Sequence, residues 1–83
     1  MTDRAPCIII GCRRTFKRAQ LDWGDNEYMC GDHYRMSDKA LRQLRTKLRR
    51  RAKRIGWTDR LARIDNWLWA RIKKQATERT LGI

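Results

Sequence analysis

Four residues in the first 33 positions have the types and spacing of a metal site: Cys7, Cys12, Cys30 and His33, in the pattern Cys-x4-Cys-x17-Cys-x2-His. Three thiolates and one imidazole form a closed tetrahedral ligand set of the kind that holds structural zinc. Gly11 stands just before the second ligand, where a chain wrapping two sulfurs around one ion must turn sharply and glycine tolerates a positive φ. Cys30 and His33 are three apart, which puts both side chains on one side of a first helical turn. The reading is one structural Zn2+. A catalytic zinc keeps an open position, whereas four ligands close the shell. His33 is the one histidine in the chain, so none is spare to act as a base. No Gly-rich phosphate loop is present, and the chain is expected not to be an enzyme.

Between the ligand pairs, Thr15–Ala19 and Glu27–Met29 read as two short strands joined by a turn at Asp22-Trp23-Gly24-Asp25-Asn26. The order is knuckle, hairpin, helix start. With Gly11-Cys12-Arg13-Arg14 and Cys30-Gly31-Asp32-His33-Tyr34, it resembles the treble-clef zinc fingers. It is similar to small fingers of phage and bacterial proteins, some of them joined to HNH nucleases. The resemblance covers residues 7–35 and implies ligands and topology. It implies a phage origin and a regulatory role only by analogy.

The second chemical signal is charge. The chain of 83 residues carries a net +12, and residues 39–63 hold eleven basic side chains against Asp59 alone. Residues 1–38 are balanced, with six basic and six acidic side chains. Such a block repels itself unless an anion lies against it. Arginine outnumbers lysine six to three between Lys39 and Ile55, and its planar fork suits phosphate. The reading is a nucleic-acid-binding protein, with DNA preferred over RNA. Its phosphate contacts would come from Arg42, Arg45, Lys47, Arg49, Arg50, Lys53 and Arg54, with Arg13, Arg14 and Lys17 around the knuckle as a second patch. Trp23 is the candidate for base stacking were RNA the target. The alternative is a protein-binding module that captures an acidic surface of a larger machine, with Trp67 and Trp69 as partner-binding candidates.

Both signals need elements to position them. No Gly or Pro interrupts His33 to Ile55, and Tyr34, Leu41, Leu44, Leu48, Ala52 and Ile55 recur at three- and four-residue spacing. One helix is expected there, with Lys39, Arg42, Lys47, Arg49, Arg50, Lys53 and Arg54 opposite the apolar stripe, and Arg45 and Arg51 flanking it. Gly56 would end it and Thr58 would cap a second helix, with Asp59 in its first turn. That helix carries Leu61, Ile64, Leu68 and Ile72 on its stripe. Trp57 falls on the stripe side and is expected in the core. Trp67 and Trp69 lie on opposite flanks of the second stripe, so one packs on the finger while the other faces a partner or a second copy of the chain. Residues 80–83 are expected to fray.

The fold class is therefore small α+β and zinc-stabilised: a knuckle and short β-hairpin, then an antiparallel two-helix hairpin. Residues 1–35 form the finger and residues 36–83 the basic hairpin. No run approaches the roughly 18 apolar residues of a membrane helix, and the first residues lack the order of a signal peptide. A cytoplasmic protein is expected, where cysteines stay reduced, with no membrane partner and with homodimerisation through the second helix as an option.

Overall fold

The computed structural model describes residues 4–21 and 27–82. It is a small α+β unit with a two-stranded antiparallel sheet and three helices. Strand β1 (Arg4–Pro6) pairs with β2 (Thr15–Lys17) in the register Arg4↔Lys17, Ala5↔Phe16, Pro6↔Thr15. A single 3-10 turn follows at Arg18–Gln20. Helix α1 (Gly31–Tyr34) is one turn long, α2 (Lys39–Ile55) has 17 residues and α3 (Asp59–Leu81) has 23.

Thr15–Lys17 is a strand as expected, but its partner is the segment before the first cysteine, not Glu27–Met29. The two strands bracket the Cys7–Cys12 turn, and the Cys7 N–H donates to the Arg14 carbonyl at 2.9 Å to close it. Cys7 is thereby brought beside Tyr28 in a parallel bridge, with the Ile8 N–H on the Tyr28 carbonyl at 2.9 Å. The Phe16 and Tyr28 rings stack at 5.1 Å between centroids. The expected turn at residues 22–26, with Trp23, lies outside the described residues, as does Ile83.

The helix expected to run unbroken from His33 is interrupted at residues 35–38. No Gly or Pro causes the break. Asp38 is extended at the N-cap of α2, and α3 holds it there. Its amide donates to Gln75 Oε1 at 2.8 Å, and its carboxylate accepts from Gln75 Nε2 at 2.9 Å and Arg79 Nη2 at 2.7 Å. Ser37 Oγ donates to the Tyr34 carbonyl at 2.7 Å on the other side of the bend.

Gly56 ends α2 with φ +87°, its N–H bonded to the Ala52 carbonyl. Thr58 caps α3 by accepting the Leu61 N–H at 3.2 Å. Contacts of Asp38 with Gln75 and Arg79, and of Arg45 with Asp65, make α2 and α3 antiparallel. Helix α3 stays helical to Leu81 and closes at Gly82, φ +77°, so residues 80 and 81 do not fray.

The seam between these helices is not the stripe the sequence suggests. Leu41 and Leu48 are half-buried and Ala52 is buried, but Leu44 and Ile55 are 53% and 60% exposed, and Trp57 is 45% exposed. The buried face of α2 is rotated toward Arg45 and Arg49, whose side chains are only 13% and 17% exposed. Asp65 causes the rotation. It occupies a buried position on α3, one turn before Leu68 and two before Ile72, and pairs with Arg45 Nε at 3.1 Å and Arg49 Nη1 at 3.5 Å. A buried carboxylate demands such partners. Arg49 thus faces α3 instead of lying opposite it. Trp57 lies beside the Arg49 guanidinium at 5.8 Å, at the rim of the seam.

One apolar cluster joins the amino-terminal part to the end of α3: Cys7, Ile9, Met29, Cys30, Ile72 and Ala76 are buried together, with Tyr34, Leu41 and Trp69 packed against them. Ile72 and Ala76 are wholly covered. No helix among the described residues is long and apolar enough to cross a membrane.

Candidate metal centre and cationic face

The hairpin closed by Arg14 and the first turn of α1 bring the four expected ligands to one place. Gly11 takes φ +86°, and the Cys12 N–H bonds to the Ile9 carbonyl at 3.1 Å, so the chain reverses between Cys7 and Cys12. Cys30 is the N-cap of α1, and the helical turn that follows brings His33 onto its side. The three sulfurs and one imidazole nitrogen all lie within 4.8 Å of one another. Cys30 Sγ is 3.0 Å from His33 Nδ1, Cys7 Sγ is 3.7 Å from the same nitrogen, and Cys12 Sγ is 3.9 Å from Cys30 Sγ. The thiols are not joined by disulfides. This is a Cys3His group with the geometry to hold one metal ion.

The surroundings favour thiolate at Cys30. Burial opposes its charge, but hydrogen bonds from the His33 amide and ring and from the Cys12 and Cys7 thiols outweigh this and lower it to about 7. At Cys12 the Arg14 amide stabilises the thiolate, yet burial and the neighbouring Cys7 and Cys30 sulfurs together raise it. The backbone N–H of Cys30 donates to Cys7 Sγ at 3.4 Å, so one candidate ligand's amide orients another's sulfur. Around the rim, Asp32 bridges Arg35 at 2.9 Å and Arg14 at 2.7 Å. Hydrogen bonding from Arg35 first, and the Arg14 charge next, hold its carboxyl below the ordinary value.

The expected cationic residues divide. Lys47, Arg50, Lys53 and Arg54 are exposed and line one shallow groove on the outside of α2. Lys39 and Arg42 continue the surface toward Tyr34. Arg45 and Arg49 are turned inward on Asp65. Arg13 and Lys17 are exposed beside the metal turn, while Arg14 is engaged by Asp32. The two tryptophans divide as well. Trp69 is half-buried against the amino-terminal part; its indole N–H donates to Glu27 Oε1 at 3.1 Å, and the Arg45 guanidinium lies 4.5 Å from its ring centre. Trp67 is 57% exposed beneath Arg71.

Sequence reasoning missed Asp65, Glu27 and Asp38 as organising acids. Asp65 had a readable signal: an acid in line with Leu61, Leu68 and Ile72, facing a helix with no acid of its own. Glu27 binds Lys73 at 3.0 Å as well as Trp69, and no local pattern marks it. Comparisons with models of known protein families, with curated proteins and with solved structures find no match to this chain.

Proposed function

We propose that this chain is a zinc-stabilised nucleic-acid-binding protein that lays the outer face of α2 along a phosphate backbone. Zinc is the metal that the donor set fits. Zn–S bonds of about 2.3 Å and Zn–N bonds of about 2.0 Å at tetrahedral angles give S–S edges of about 3.8 Å and S–N edges of about 3.5 Å. The 3.9 and 3.7 Å separations are near these edges, the 3.0 Å one is about 0.5 Å short, and all four atoms lie within 4.8 Å of one another. Three soft thiolates and an imidazole also select zinc over harder cations. The zinc would be structural, in a treble-clef-like arrangement, tying the β1–β2 hairpin to α1.

The observation that carries the nucleic-acid reading is the separation of charge on α2. The helix has nine basic residues and no acidic one. Asp65, the one buried acid among the described residues, is taken by Arg45 and Arg49 on the inner side. The outer row of Lys47, Arg50, Lys53 and Arg54 therefore keeps its charge for an external anion. Duplex DNA is favoured over single-stranded RNA because α2 carries no aromatic side chain to stack unpaired bases. Four phosphate contacts imply a slope of about −3.6 in log affinity against log salt, or about 150-fold weaker binding between 50 and 200 mM salt. Fluorescence anisotropy on a 20-base-pair duplex measures it. The triple variant Arg50→Gln, Lys53→Gln, Arg54→Gln reduces the slope to about −0.9. A wild-type slope shallower than −1, or an unchanged slope in the variant, defeats the reading.

A second reading, a protein-binding module for an acidic partner, is favoured by exposed apolar groups on the same two helices: Trp67 at 57%, Leu44 at 53%, Ile55 at 60% and Ile64 at 38%. Its cationic setting suits an acidic surface more than a second copy of a chain of net charge +12. Binding of that kind depends on Trp67, tolerates moderate salt, and survives nuclease in a pull-down.

A further inference from the structure

Arg42 differs from every other cation of α2. It is half-buried in a groove that Tyr34 also lines, its Nε is shielded from water, and that N–H has no hydrogen-bond partner. No ion pair or ring contact occupies the guanidinium among the described residues. A charged donor out of water without an acceptor is unfavourable; Nε itself is out of reach of an outside acceptor, but the terminal nitrogens are not so shielded and can take one. Asp65, the buried acid of the neighbouring helix, is already shared by Arg45 and Arg49.

The surroundings say what that acceptor is. Arg42 lines an open groove of about 470 Å³ with Lys39, Lys47 and Arg50 around it and Tyr34 at the α1 end. Thr46 also borders it, but its hydroxyl donates to the Arg42 carbonyl at 2.9 Å. The groove thus offers three cations besides Arg42, one phenol and no carboxylate. That composition repels metal ions and suits an oxyanion. The two terminal nitrogens of a guanidinium match two oxygens of a phosphate, whereas an ammonium supplies only a point charge.

We infer that the groove on α2 beside Tyr34 is a phosphate seat, in which Arg42 takes two phosphate oxygens through its terminal Nη groups while Lys39, Lys47 and Arg50 surround the charge. The inference deepens the nucleic-acid reading and rests on it for the source of the phosphate, a phosphodiester of the backbone. The groove's own chemistry, shared with free phosphate, fixes the place. The seat would anchor the strand at the Lys39 end of α2, from which Lys47, Arg50, Lys53 and Arg54 follow it along the helix.

The test uses the full, metal-loaded chain, labelled with 15N, and follows the arginine Nε–Hε resonances at matched ionic strength in chloride. Inorganic phosphate bound at the terminal nitrogens shifts the Arg42 resonance. Arg42→Lys, which keeps the charge but loses the fork, weakens phosphate binding about tenfold. Arg50→Gln, at an exposed position in the same groove, also weakens it, and this arm holds if Arg42→Lys disturbs folding. An Arg42 resonance that phosphate leaves unmoved, or phosphate affinity unchanged in both variants, overturns the inference. The 20-base-pair duplex separates the two readings. A duplex that binds without moving Arg42 overturns the seat and leaves the nucleic-acid reading standing. Phosphate that moves Arg42 while the duplex fails to bind supports the seat, reassigns it to a phosphorylated small molecule, and removes the nucleic-acid reading.

Discussion

Replacing Asp65 with Asn tests whether the helix pair is organised around a buried charge. The substitution keeps volume and shape but leaves two guanidinium groups, 13% and 17% exposed, without their common counter-ion. Removing one partner of a buried ion pair costs about 3–5 kcal/mol. The residual exposure of both arginines argues for the lower end, about 3 kcal/mol. A chain of this size has about 5–10 kcal/mol in all, so the variant would retain only part of its stability. With an m-value of about 1.5 kcal/mol/M, the urea midpoint falls by about 2 M at nearly constant m, since little additional surface is exposed. Equilibrium urea unfolding of the metal-saturated protein, followed by far-UV circular dichroism, measures it. A control keeps the argument specific: Asp65→Leu with Arg45→Met and Arg49→Met removes the charges together and recovers most of the loss. If Asp65→Asn lies within about 1 kcal/mol of wild type, the pair is energetically a surface contact. The explanation of the rotated helix seam would then be wrong.

Two further predictions follow from the site and its supports. Glu27 is held below its ordinary value of 4.5, first by the hydrogen bond from Lys73, with Trp69 adding to it against burial. A lowered folded value stabilises fully above the ordinary one and is lost as pH falls through the lowered one. The gap in melting temperature between wild type and Glu27→Gln is therefore widest near neutrality and closes in acid; a gap that widens on acidification refutes the assignment. Excess chelator abolishes the near-UV dichroism of the amino-terminal part, because structural zinc contributes on the order of 10 kcal/mol to such folds. An unchanged spectrum would mean that the apolar cluster around Ile72 holds that part together alone.

Local chemistry made the ligands and the helix boundary at Gly56 and Thr58 legible in the sequence. A turn needing positive φ, two ligands three apart on a helix and a hydroxyl at an N-cap are decided within a few residues. What escaped was decided at long range. The break before α2 is held by Gln75 and Arg79, nearly forty positions from Asp38. Thr15–Lys17 is recognisable as a strand, but its partner is chosen by the closure of the Cys7–Cys12 turn. The apolar stripe of α2 sets Arg49 on the opposite side because it weighs only apolar residues, whereas the acid at Asp65 draws arginine into the seam. Trp57 follows Arg49 to the rim for the same reason.

The account rests on one ion joining the β1–β2 hairpin to α1 so that α2 leaves in a fixed direction. Its most direct test is the metal content of the purified chain, by elemental analysis, beside that of Cys30→Ser. One zinc per wild-type chain and markedly less in the variant is the predicted result. A wild-type chain without stoichiometric metal, or a variant that retains it in full, would contradict the account.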